Sequence, residues 1–167
     1  MADATGTAFA LRTDWGPHMY KHILAALDGS PRASQVLRHA AELAAQTGAT
    51  LHLCRAVNVP PDVPADVWIL AGEQLTAHLL NQGAEELTEL AQAVQPSQTS
   101  VVWGQRLCRL GIPGQVVIEL ADELHADLIV MGSHGYGFFE RLIGTTAARI
   151  VNHARCSVLV VRGEEPA

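Results

Sequence analysis

Short apolar runs alternate along this chain with segments whose apolar residues fall at helical spacing, and that rhythm constrains the fold more than any other feature. The first run, "YKHILAALD" (20–28), ends in a carboxylate and has the pattern of a strand buried on both faces. After it, "GSPRASQVLRHAAELAAQTGA" places Val36, Leu37, Ala40, Leu43 and Ala44 on one helical stripe. Ser30 is the expected N-cap, Pro31 the first helical residue, and Gly48 the stop. "ATLHLCRAV" (49–57) is the second strand. The proline-rich "NVPPDVPA" excludes regular structure, and roughly 66–94 reads as a long helix with Gly72 and Gly83 as weak points.

The same rhythm continues to the end of the domain. "TSVVWGQ" (99–105) is the third strand, and Pro113 opens a helix with Val116, Val117, Leu120, Ala121 and Leu124 on one face. "DLIVMGS" (127–133) is the fourth strand, "GTTAARIVNHA" (144–154) a helix, and "CSVLVVR" (156–162) the fifth strand. Strict alternation predicts an α/β fold: a five-stranded parallel sheet with right-handed crossovers and helices on both faces. The 167 residues suffice for one domain. The boundaries are a loose leader over 1–19, a domain over 20–163 and a tail over 164–167.

Composition narrows the function classes. An apolar share of 49% with 17% charged residues suits a globular chain, and no stretch reaches membrane-spanning length. A net charge of −6 without Lys/Arg runs speaks against nucleic acid and anionic membranes as partners. Cys54, Cys108 and Cys156 are widely spaced and form no CxxC pair, so they read as buried thiols in a reducing cytoplasm. The histidines show no metal-ligand spacing; His18 and His22, four apart, straddle a strand start rather than share a helical face. No GxSxG elbow activates Ser30 or Ser133.

In an open α/β sheet, ligands sit beyond the carboxyl ends of the strands, where the strand order reverses. The strand ends here carry Asp28-Gly29-Ser30, Ala56-Val57, Gly104, and the glycines from Gly132 to Gly137. A glycine-rich turn lets backbone amides approach an anion, and a helix opening at Gly144-Thr145-Thr146 offers amides and hydroxyls at its positive end. Two readings stand: a nucleotide phosphate site, or a turn that merely needs glycine. The pattern is neither a P-loop nor the dinucleotide fingerprint GxGxxG. Asp28 likewise has two readings, a turn or capping carboxylate, or an acceptor for the ribose or base of a nucleotide.

The combined pattern resembles the universal stress protein family. "HILAALDGSPRASQVLRHAAELA", "ATLHLCRAV", "GIPGQVVIELADELHADLIVMGSHGYG" and "LIGTTAARIVNHARCSVLVVR" match in that order and cover nearly all of 20–163. The resemblance implies a Rossmann-like sheet of the adenine-nucleotide-binding kind and a homodimer. The family's nucleotide-binding branch carries Gly-x2-Gly-x9-Gly-Ser/Thr. Here Gly132-x2-Gly135 is followed by eight residues and Gly144-Thr145.

Carried over, Ala26, Leu27 and Asp28 would lie by the adenine and ribose, with the Ala56 backbone facing the adenine. Met131 and Gly132 would floor the site, and Gly135, Gly144, Thr145 and Thr146 would hold phosphates. His134 is either a phosphate contact or a solvent-facing turn residue. Phe138 and Phe139 read as packing on a helical face within "FFERLI", and Trp68 and Trp103 as core or interface.

The expected function is therefore an ATP-binding stress-response or regulatory dimer, with ATP, with or without Mg2+, as cofactor. The dimer would form through the last strand, Ser157–Val161, an apolar edge that needs a partner. A regulatory protein partner is open. Hydrolysis is expected to be slow at most, since no base is placed to activate water. The alternative is a dimeric stress module that binds no nucleotide and acts through protein contacts. A pyrophosphatase-loop adenylating enzyme ranks last, because "LDGSPRAS" departs from the SGGxDS turn it would need.

Overall fold

The computed structural model describes residues 19–58, 65–94, 100–133 and 144–162. The leader over 1–18, His134, Gly135, the "FFERLI" segment and the tail lie outside the described residues. Elements follow in the order β1 (His22–Ala26), α1 (Ala33–Thr47), β2 (Thr50–Val57), α2 (Ala65–Ala93) and β3 (Val102–Leu110). They continue as α3 (Pro113–Glu123), β4 (Leu128–Gly132), α4 (Thr145–His153) and β5 (Ser157–Val161). The five strands form one parallel sheet in the order β3-β2-β1-β4-β5. The order reverses between β1 and β4, which places the switch point between the ends of those two strands.

Both faces of the sheet are covered, as the alternating pattern predicts. Ile23, Ala25, Leu51, Leu53, Leu128 and Val130 pack on one face beneath Val36, Leu37, Ala40 and Ala44 of α1 and Leu87 of α2. Leu24, Cys54, Ile129 and Met131 pack on the other beneath Val116, Val117 and Leu120 of α3 and Ala147 and Ile150 of α4. Successive side chains of β1 and β4 thus serve opposite cores, which is why those runs are apolar throughout instead of alternating.

Three expectations change. Ser30 does not cap α1: the helix starts at Ala33 with Arg32 in the cap position and no side-chain cap bond. Pro31 consequently sits in the preceding turn, because the Ser30 hydroxyl is taken by Asp28 instead. The helix α2 runs unbroken through Gly72 and Gly83. At Gly83 the missing side chain makes room, for a Cβ there would lie 2.5 Å from Cys108 Sγ. Lastly, the third strand extends to Leu110 rather than ending at 105, so Gly104 is an interior position and not a strand end.

Gly104 falls at a register irregularity. Leu51 pairs with Trp103 and Leu53 with Arg106, so Gly104 and Gln105 together face His52. A Cβ on Gly104 would lie 2.5 Å from His52 Nδ1. The space goes to the imidazole, whose Nδ1 accepts the Gln105 amide at 3.0 Å. Trp103 packs at the margin of the first core. All three cysteines are free thiols, with Cys54 fully buried and its pKa pushed up to about 12 by that burial, while Cys108 and Cys156 are only partly buried. Among the described residues, no helix is long and apolar enough to cross a membrane.

Candidate functional site

A cavity of about 360 Å³ opens at the switch point. Its lining joins the end of β1 (Ala26, Leu27, Asp28), Ala56 of β2, Met131 and Gly132 of β4, and Gly144, Thr145 and Thr146 at the start of α4. Residues named from the sequence at four separate places therefore line one cavity. His134 and Gly135, the remaining two, lie outside the described residues.

Each wall has a local cause. β1 and β4 are adjacent and in register, Ala26 beside Met131, so their ends reach the same level. The Ser133 carbonyl accepts the Gly144 amide at 3.1 Å, and the Ser133 amide donates to Val161 O at 3.0 Å. The first of these bonds draws the start of α4 back against the end of β4. Ser133 and Gly144, which flank the segment outside the described residues, are thus bonded to each other. Gly144 is the N-cap of α4 and brings no side-chain acceptor, and with Thr145 and Thr146 it sets the positive helix end at the cavity.

On the opposite wall, Asp28 forms a tight turn. Its Oδ1 accepts both the Ser30 amide at 3.1 Å and the Ser30 hydroxyl at 2.5 Å. The first of the two sequence readings of Asp28 is what Oδ1 does; Oδ2 has no partner among the described residues. Behind this turn, Arg55 of β2 pairs with Glu86 of α2 and reaches the backbone of Gly29, where a Cβ would lie 3.0 Å from its Nη2. The turn is held from both sides.

Sequence reasoning missed part of the lining. Arg32, Val36, Pro113, Val117, Ser133 and Ile150 also face the cavity. Val36 and Val117 were legible as core stripe residues, but a stripe does not say which of its members reaches a cavity. A second omission lies at the other end of the sheet. His22 Nδ1 and His52 Nε2 are 3.2 Å apart, with ring centroids at 5.5 Å. Because His52 Nδ1 accepts the Gln105 amide, its proton sits on Nε2, which makes the contact a hydrogen bond to His22 rather than a pair of metal-ready lone pairs. Among the described residues, no group of three or more metal-ligating side chains is assembled.

A family model, that of the universal stress proteins, matches residues 19–162. The chain belongs to the universal stress protein family. Universal stress protein A homolog 1 of Coxiella burnetii is 37% identical over 144 residues, covering 85% of this chain and 96% of that protein. Among solved structures, the universal stress protein UspA from Lactobacillus plantarum superimposes with a TM-score of 0.66 at 26% identity, covering 86% of this chain and 98% of its own. A universal stress protein solved in complex with cAMP superimposes with a TM-score of 0.58 at 25% identity, covering 86% and 97% respectively. The five-stranded parallel sheet is the universal stress protein fold.

Proposed function

We propose that this universal stress protein binds an adenine nucleotide, ATP in the first instance, in the switch-point cavity. The observation that carries the reading is the Gly144–Ser133 hydrogen bond. It brings a helix N-terminus with open amides to the same cavity as the Asp28 turn. The residues fit such a ligand. A cavity of about 360 Å³ lies in the size range of small-molecule sites. Ala26, Ala56, Val117 and Met131 give apolar walls for a base, Asp28 Oδ2 can accept from a hydroxyl or exocyclic amine, and the α4 amides and Thr145 and Thr146 hydroxyls suit phosphate. The relative solved with cAMP holds an adenine nucleotide.

The protein works as a regulatory homodimer joined through β5 and is at most a slow hydrolase. β5 is the edge strand of the sheet, with Leu159 exposed on it and Val151 exposed on the neighbouring α4. Such an edge favours pairing with a second copy. Asp28 is the sole carboxylate on the cavity lining among the described residues, and Ser30 occupies one of its oxygens. That leaves little to activate water at the α4 end.

Mass spectrometry of the gently denatured purified chain, together with calorimetric titration of ATP and Mg2+, tests the reading. Co-purified adenylate and saturable binding support it. A chain that carries none and shows no heat with any adenylate would be a dimeric module acting through protein contacts.

A further inference from the structure

Two charged side chains line the switch-point cavity among the described residues, Asp28 and Arg32. They are the two ends of one turn. Asp28 closes β1, and Arg32 is the cap residue of α1, half-buried, with φ −81° and ψ −13°. The Asp28 carboxylate is fixed by Ser30 and repels an anion, so a negatively charged ligand must direct its charge elsewhere in the same cavity. The α4 end attracts it through neutral amides, whose summed dipole amounts to roughly half a charge. A guanidinium adds a full charge and a planar fork that matches two phosphate oxygens.

We infer that Arg32 is a specificity-determining residue of this site, reading the phosphate of an adenine nucleotide and so selecting the charged nucleotide over the uncharged nucleoside. The inference rests on the nucleotide reading above and deepens it. Asp28 and the apolar wall recognise what nucleotide and nucleoside share; Arg32 recognises what only the nucleotide has. Among the described residues Arg32 is the lining cation, and it stands at the start of α1 and not at that of α4, so its contribution is separable from that of the α4 amides.

Calorimetry of the full chain with AMP and with adenosine separates these roles, using wild type, Arg32→Gln and Arg32→Lys. Charged hydrogen bonds of this kind correspond to roughly a tenfold to hundredfold change in affinity. Arg32→Gln should weaken AMP binding by about that factor, leave adenosine within about twofold of wild type, and flatten the salt dependence of AMP binding. Arg32→Lys, which keeps the charge and loses the fork, should fall between, and it carries the test if the glutamine variant does not fold. Equal weakening of AMP and adenosine overturns the inference in favour of a structural role for Arg32, as does unchanged AMP affinity in both variants. A wild-type chain that binds neither probe removes the nucleotide reading itself; one that binds both, with no Arg32 effect, removes only this inference.

Discussion

Asp28 holds Ser30 with two hydrogen bonds to one carboxylate oxygen, 2.5 Å to the hydroxyl and 3.1 Å to the amide. The turn between β1 and α1 therefore takes its shape from a residue at the mouth of the cavity, so a change in the turn is felt by the ligand. Ser30→Ala removes the shorter bond and leaves the amide bond. Ser30 is buried, and the loss should destabilise the fold by about 1 kcal/mol and weaken AMP binding several-fold. Urea denaturation and calorimetry measure the two effects. A variant with wild-type affinity would show that the hydroxyl does not position the carboxylate.

At Gly83 the helix α2 lies close against the sheet. A methyl group there meets Cys108 Sγ at 2.5 Å and Val57 Cγ2 at 3.3 Å. Alanine improves helix propensity by up to about 1 kcal/mol, whereas overpacking of this kind costs about 1–3 kcal/mol. Gly83→Ala should accordingly destabilise the protein. Adding Cys108→Ala removes the clashing sulfur and should restore stability to at least that of Cys108→Ala alone. A double-mutant cycle from denaturation midpoints checks this, and additive effects would mean that α2 shifts to accommodate the methyl.

His52 gives the fold a pH dependence. Burial first, and His22 second, lower its pKa below the ordinary histidine value of about 6.5, and its Nδ1 must stay unprotonated to accept the Gln105 amide. The unfolded chain therefore takes up a proton near pH 6.5 while the folded chain still resists it. This contribution is constant above that pH and is lost as the pH falls from about 6.5 toward the lower folded value. Stability measured from pH 8 to pH 5 should decline on the acid side. His52→Asn, which retains an acceptor near Nδ1 and cannot titrate, should flatten that decline. An equally steep profile in the variant would assign the dependence to other groups.

Leu159 lies on the exposed side of edge strand β5. If two copies pair along this edge, Leu159→Lys places like charges in the interface and should yield a monomer at micromolar concentration, with nucleotide affinity unchanged. Light scattering reads the mass. A wild-type monomer would remove the dimer, and a variant dimer as tight as wild type would place the association elsewhere.

The sequence by itself determined the layers, because a strand covered on both faces must be apolar at every position. "ILAA" after His22 and "LIVMG" are such runs, and they lie side by side in the middle of the sheet. The helical stripe around Val36 and Leu37 was legible for the same reason. It also brought Asp28 and Gly144 under suspicion, since a strand-end carboxylate and a glycine before a helix carry a local chemical meaning.

Only the tertiary structure decided the rest. β3 is an edge strand with most of its residues partly or fully exposed, so "RLCRL" has no continuous apolar signal and its true end at Leu110 could not be read. Ser30 had a local role to play as a helix cap and a different one once Asp28 was within reach. His22 and His52 are thirty residues apart and become partners because the parallel register of β1 and β2, with His22 beside Thr50 and Leu24 beside His52, makes them diagonal neighbours. Arg32 reads as an ordinary helix-start residue until the switch point between β1 and β4 turns that helix start into the wall of a cavity. Burial follows from the periodicity of one segment, whereas convergence depends on the register among several, and register is fixed only when the whole sheet assembles.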